Sequence, residues 1–233
     1  TPAPVTTTVT ITPLPTASIS YAASPYCDDN ASAQTVTLTG TGAYTGGTYS
    51  ALPATGLILD TTTGAITPSG STPGTYTVSY AIPASGGCTP APVSTTVTIT
   101  AAPTASISYA ATPYCNDNAT AQAVTLTGTN NYMGGVFSAA PATGLILDAS
   151  TGAITPSGST PGTYTVSYAI PANGGCTPAP VTTTVTITPL PTASISYAAS
   201  PYCDDNASAQ TVTLTGTGAY TGGTYSALPA TGL

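Results

Sequence analysis

Apolar and polar residues alternate with a period of two along most of this chain, the pattern of strands buried on one face. The alternation is clearest where Tyr76, Val78, Tyr80 and Ile82 interleave with Thr75, Thr77, Ser79 and Ala81. Upstream, Leu57 and Leu59 mark a short strand ending at Asp60. A turn follows over Asp60-Thr61-Thr62-Thr63-Gly64. In it the Asp carboxylate can accept hydrogen bonds from its own backbone two residues on, and the Gly takes the position that needs a positive φ. Ala65–Thr67 is the next strand, stopped by Pro68, and Pro73-Gly74 turns the chain again. Further strands are predicted at 16–21, with Ala17, Ile19 and Tyr21 inward, at 35–41, with Val36 and Leu38 inward, at 47–51 and at 93–100. β-Branched residues, Gly and Pro interrupt every helical window. The expected fold is all-β: a seven-stranded antiparallel β-sandwich.

The pattern repeats. The stretch 56–82 returns almost unchanged at 144–170, and Cys27, Cys115 and Cys203 recur every 88 residues, as do Cys88 and Cys176. Residues 1–57 and 177–233 are identical, so two versions of one unit alternate. A unit of this size can bury a small core without a cofactor. The expected organisation is the last strand of a preceding repeat at 1–12, complete repeats at 16–100 and 104–188, and the first strands of a third at 192–233. Such a frame reads as a slice of a longer tandem array. The junctions Pro13-Leu14-Pro15, Ala101-Ala102-Pro103 and Pro189-Leu190-Pro191 are predicted to be semi-rigid spacers.

Charge narrows the function classes. Lys, Arg and His are absent, and the seven acids, all Asp, give a net charge of −7. Without cations the chain cannot release counterions from nucleic acid or hold anionic lipid. No apolar run approaches the ~18 residues of a membrane span. Neither nucleic-acid binding nor membrane insertion of this segment is expected. General acid–base chemistry near neutral pH draws mostly on His, Glu or a tuned Lys, and a Ser or Cys nucleophile needs an adjacent base. Asp28 and Asp29 are sequence neighbours that point apart in an extended segment, not a glycosidase pair. The Cys spacings do not fit zinc. The chain is therefore not expected to be an enzyme.

The motif GL-x-x-D-x-x-TG-x-I of residues 56–66, with GTYT-V at 74–78, resembles the core of bacterial immunoglobulin-like domains. More widely, PTASISYAASPYC, TVTLTGTGAYTGGTYS and GAITPSGSTPGTYTVSYAIPASGGC resemble the tandem repeats of very large surface proteins of gliding Bacteroidetes, exported by the type IX route. The resemblance covers essentially the whole chain. It implies tandem immunoglobulin-like sandwiches at the cell surface or outside the cell, and a role as adhesin, stalk or filament shaft. A multivalent module binding carbohydrate or another surface is the alternative. The partners it implies are neighbouring repeats of the same chain, with lateral self-association as a further option.

Secreted units with two cysteines predict disulfides. If all seven strands alternate in direction, Cys27 precedes the second strand at the C-terminal pole of its repeat, and Cys88 follows the sixth at the N-terminal pole. A seven-residue strand is ~23 Å long, whereas bridged Cα atoms lie ~4.4–6.8 Å apart. This parity favours a bridge between repeats, Cys27–Cys176, over the bridges Cys27–Cys88 and Cys115–Cys176 within repeats. The same parity sets Asp28, Asp29 and Asp148 at facing poles, which makes them candidates for calcium; solvated loop and turn positions are the competing reading. Asn30, Asn118 and Asn206 fit the N-glycosylation pattern by chance or duplication. Tyr44, Tyr49, Tyr132 and Phe137, around the third strand, are the candidates for contact with a ligand.

Overall fold

The computed structural model describes residues 2–198 and 200–228. It divides into two compact units. The first holds Thr1–Ser106, Thr127–Gly135 and Ala169–Pro180; the second holds Ile107–Leu126, Val136–Tyr168 and Val181–Leu233. The 88-residue sequence period is thus not the boundary between units: two loops of the second repeat belong with the first unit.

In the first unit the strands are β1 (Thr16–Tyr21), β2 (Tyr26–Cys27), β3 (Val36–Thr41), β4 (Thr48–Leu52), β5 (Ile58–Leu59), β6 (Ile66–Thr67), β7 (Gly74–Ala81) and β8 (Val93–Thr100). No helix occurs among the described residues. β1 pairs with β3, from Thr16↔Thr41 to Tyr21↔Val36, and β5 pairs with β6. A bridge between Gln34 and Ile66 joins those two pairs into one layer. The facing sheet has the order β2-β8-β7-β4. This is the immunoglobulin-like arrangement of two antiparallel layers, with one departure from the expected seven strands. The two residues of β2 cross to the second sheet and run parallel to the end of β8, Tyr26 opposite Ile99 and Cys27 opposite Thr100.

The inward positions of the alternating strands make the core. Ile66, Val78 and Val97 are completely buried, as nearly are Tyr80 and Ile99. Each such side chain contributes about 1.5–3 kcal/mol from the water it leaves. Tyr49 packs on Tyr80, ring centroids 4.7 Å apart. Four tyrosines can be accommodated in and around this core because the phenols of Tyr21, Tyr26, Tyr76 and Tyr80 each donate to a backbone carbonyl at its rim. Tyr80 Oη donates to Tyr44 O at 2.7 Å and accepts from Gly47 N at 2.8 Å. Tyr76, at the start of β7, donates to Thr72 O four residues back at 2.7 Å, the tyrosine-corner contact of this fold. Tyr21 donates to Gly64 O at 2.5 Å, and burial raises its pKa well above the usual phenol value.

The predicted Asp turn forms. Asp60 Oδ1 accepts from Thr62 N at 2.8 Å and Thr63 N at 3.0 Å, and Gly64 has φ +74°. These backbone donors hold the Asp60 carboxyl below its ordinary pKa.

The second repeat carries β9 (Thr104–Tyr109), β10 (Tyr114–Cys115), β11 (Val124–Thr129), β12 (Val136–Ala140), β13 (Ile146–Leu147), β14 (Ile154–Thr155), β15 (Gly162–Ala169) and β16 (Val181–Thr188). Its sheet order is the same, β10-β16-β15-β12 opposite the pairs β11-β9 and β13-β14. Tyr109 occupies the place of Tyr21, and burial pushes its phenol up to about 12. In the third repeat β17 (Thr192–Tyr197) and β18 (Val212–Thr217) pair with each other. Residues 2–12, expected as a strand, carry none, and Val5, Val9 and Ile11 are exposed. In the complete repeats the matching segment, β8 or β16, is paired with the long strand before it.

Candidate functional site at the Cys27–Cys176 bridge

Everything that builds this site belongs to the first unit. Its floor is the end of β8. The segment around β2 is strapped along that edge: Ser24 Oγ accepts from Thr98 N at 3.1 Å, and Asp28 N donates to Thr100 O at 2.9 Å. Asp28 Oδ1 then accepts from Ala102 N at 2.8 Å, so the carboxylate holds the start of the linker. Asn130 adds a second tie, its Nδ2 donating to Ala102 O at 2.7 Å.

The other half is the loop Asn173-Gly174-Gly175-Cys176. Asn173 and Cys176 exchange two backbone hydrogen bonds, at 3.1 and 2.8 Å, and close it into a tight turn. Both glycines have positive φ, +52° and +81°. A Cβ on Gly175 would run into the Pro25 carbonyl, and one on Gly174 would lie 2.7 Å from Thr100 Cγ2. Only glycine allows the loop to come this close to the strap. At its end Cys176 Sγ lies 1.95 Å from Cys27 Sγ, with the Cα atoms 4.7 Å apart. Both cysteines are buried. The bond joins residues 149 apart, one from each complete repeat. Cys88 and Cys115, the partners in the competing scheme, carry free thiols, as does Cys203.

The other candidate residues fall in different places. Asp28 spends one oxygen on the linker, and Asp29 is exposed. Asp148, in the second unit, accepts from Ser150 N, Ser150 Oγ and Thr151 N at 2.7–3.0 Å, all within its own turn. Ser150 Oγ first, then the Thr151 and Ser150 amides, hold its carboxyl down at about 2. Among the described residues no three His, Cys, Asp or Glu side chains gather as a metal-ligand set.

Two of the four aromatic candidates are corrected. Tyr49 and Phe137 are buried, Phe137 4.6 Å from the ring of Tyr168, and neither is available to a ligand. They are the inward positions of β4 and β12, flanked by outward-pointing neighbours. Tyr44 and Tyr132 are half-buried, each with its ring over a glycine, Gly40 or Gly128. Beside Tyr132 is an open hollow of about 340 Å³ lined by Asn130, Asn131, Met133 and the loop 171–173.

The strap was not foreseen in the sequence, where two residues leave no periodicity. The Gly-Gly-Cys loop was a legible signal for close backbone approach.

No protein-family profile and no curated protein matches this chain. Several solved structures are similar in part. The C-terminal 282-residue fragment of intimin, in complex with the intimin-binding domain of the translocated intimin receptor, is similar over 78% of this chain and 66% of that one, at 19% identity and TM-score 0.45. Domains 4–9 of surface layer protein SbsC are similar over 88% of this chain and 36% of that one, at 16% identity and TM-score 0.31. BT4661, a SusE-like surface-located polysaccharide-binding protein from Bacteroides thetaiotaomicron, is similar over 73% of this chain and 34% of that one, at 16% identity and TM-score 0.30.

Proposed function

We propose that this chain is a non-catalytic structural repeat region, a segment of the stalk or filament shaft of an extracellular surface adhesin. The observation that carries the reading is the Cys27–Cys176 bond, which ties one repeat to the next beside the linker at Ala101-Ala102-Pro103. A tie placed there keeps neighbouring repeats together under tension. Near-identical copies and the lack of Lys, Arg and His suit a part that spans distance instead of performing chemistry. The finer assignment, to gliding-type proteins exported by the type IX route, rests on the repeat motifs quoted above.

Single-molecule extension tests the load-bearing role. Pulled from its two ends in oxidised form, the chain keeps the segment between the bridged cysteines, a sequence separation of 149, out of the extended length. Reduction adds roughly 500 Å of contour, at ~3.3–3.6 Å per residue. Equal contour lengths before and after reduction would refute a covalent tie under load.

The hollow at Asn130, Asn131, Tyr132 and Met133 favours a second reading, a binding module whose copies act by avidity. Version one of the repeat has Gly42, Ala43, Tyr44 and Thr45 at those positions. Saturable retention of the purified chain on immobilised polysaccharide, lost in the Asn131→Ala, Met133→Thr double variant, would decide for it.

A further inference from the structure

The three free thiols occupy different surroundings. Cys88 ends the loop Ser85-Gly86-Gly87-Cys88, which is closed by the same pair of backbone hydrogen bonds as the loop at Cys176, at 3.1 and 2.9 Å. It sits against Thr12 as Cys176 sits against Thr100: Cys88 Sγ is 3.6 Å from Thr12 O, and Cys176 Sγ is 3.7 Å from Thr100 O. Thr12 Oγ1 also donates to Gly86 O at 2.8 Å. The piece that completes this arrangement at Cys176 is a Tyr-Cys-Asp strap along the strand edge; among the described residues none fills that place beside Ile11 and Thr12, and Ile11 is exposed.

Cys115 is the opposite half, built within the second unit. β10 lies parallel to the end of β16, with Cys115 opposite Thr188. Asn116 N donates to Thr188 O at 2.9 Å, and Asn116 Oδ1 accepts from Leu190 N at 3.0 Å. The strap is in place and the Gly-Gly-Cys loop is the missing piece. Cys203 has neither: it shares the flanking sequence of Cys27, but it is exposed and belongs to no strand.

We infer that Cys88 and Cys115 are two unlike half-sockets for bridges to further repeats of this kind. Cys88 receives the Tyr-Cys-Asp strap of a preceding repeat, and Cys115 receives the Gly-Gly-Cys loop of a following one. The inference builds on the repeat-region reading and adds that one repeat uses its two cysteines in two different bridges. In each bridge two thiols lose two protons and two electrons to a disulfide oxidant, small-molecule or protein, which leaves as two thiols.

Trapping with peptides tests it on the whole chain. A peptide of residues 24–30 and one of residues 172–177, each with its cysteine activated as the 2-thiopyridyl disulfide, serve as probes, with activated glutathione as reference. A chain thiol attacks the peptide sulfur, the peptide is joined to it, and thiopyridone leaves. Peptide mapping then gives the labelling ratios against Cys203. The strap peptide should favour Cys88 about tenfold more than glutathione does, the factor expected of one or two net backbone hydrogen bonds. The loop peptide should favour Cys115 instead. Gly86→Ala places a Cβ 2.5 Å from Thr12 Oγ1 at φ +58°, so it should abolish the preference of the strap peptide while glutathione still labels Cys88. Ratios for the peptides equal to those for glutathione, or a preference that survives Gly86→Ala, would overturn the inference. The extension experiment reads only the Cys27–Cys176 bond, so either result can fail alone.

Discussion

Replacing Cys27 and Cys176 by Ala, singly and together, removes the bond that closes a loop of 149 residues. In the chain-entropy description a loop of that length restrains the unfolded ensemble by about 5 kcal/mol. Strain and stepwise unfolding of the repeats lower the realised value, and about 2–4 kcal/mol is the usual range. For a chain of this size each kcal/mol moves the melting temperature about 2–4 °C, so a loss of roughly 5–15 °C is expected. Both cysteines are buried, and alanine leaves no unpaired polar group there. The assay is thermal and urea unfolding followed by tyrosine fluorescence, since the chain has no Trp. The pattern is more decisive than the size. Cys27→Ala, Cys176→Ala and the double variant should lose the same amount, because all three remove one bond, and Cys88→Ala should be silent. A Cys88→Ala loss equal to that of Cys27→Ala, with Cys176→Ala unchanged, would refute the pairing.

Phe137→Ala should cost about 3–5 kcal/mol in urea unfolding, as deletion of a buried ring does; a surface ligand contact would cost almost nothing. Asp148→Ala should destabilise only where the carboxylate is ionised. The folded pKa is lowered from 3.8 to about 2, so the contribution is complete above pH 4 and disappears as the pH falls through about 2. Midpoints of wild type and variant measured between pH 5 and pH 2 should therefore converge, and a constant difference would contradict the turn geometry.

The long alternating strands were readable because one buried face imposes period two. The segment 93–100 matches β8 at both ends, and 16–21 matches β1. The Asp60 turn was readable because its chemistry is local. β2 was not: its partner at Ile99 and Thr100 is far along the chain, and two residues cannot display alternation. Tyr49 and Phe137 were misassigned as surface groups although they alternate with Thr48, Ser50, Val136 and Ser138. Their aromatic character outweighed a pattern that placed them inside. Strand parity separated Cys27 from Cys88; the close approach at Gly174-Gly175 was marked only by the glycine pair itself, whose partner at Pro25 and Thr100 no local pattern names. The division into units also lay beyond the repeat period, because the loops 127–135 and 169–180 associate through contacts that sequence spacing does not encode.

Asp28 and Asn116 perform one task with different charge. Each offers Oδ1 to the amide of the following linker, at Ala102 or Leu190. What the position requires is a carbonyl-like acceptor, and the ionic charge is dispensable. Across the chain there is no Lys, Arg or His side chain with which an Asp can pair. Its ties are hydrogen bonds, some of them to aspartate carboxylates, together with apolar burial and a disulfide, none of which depends on attraction between opposite side-chain charges. Dissolved salt screens only the mutual repulsion of the seven aspartates. A protein built this way passes from dilute water to brine without losing a single side-chain ion pair.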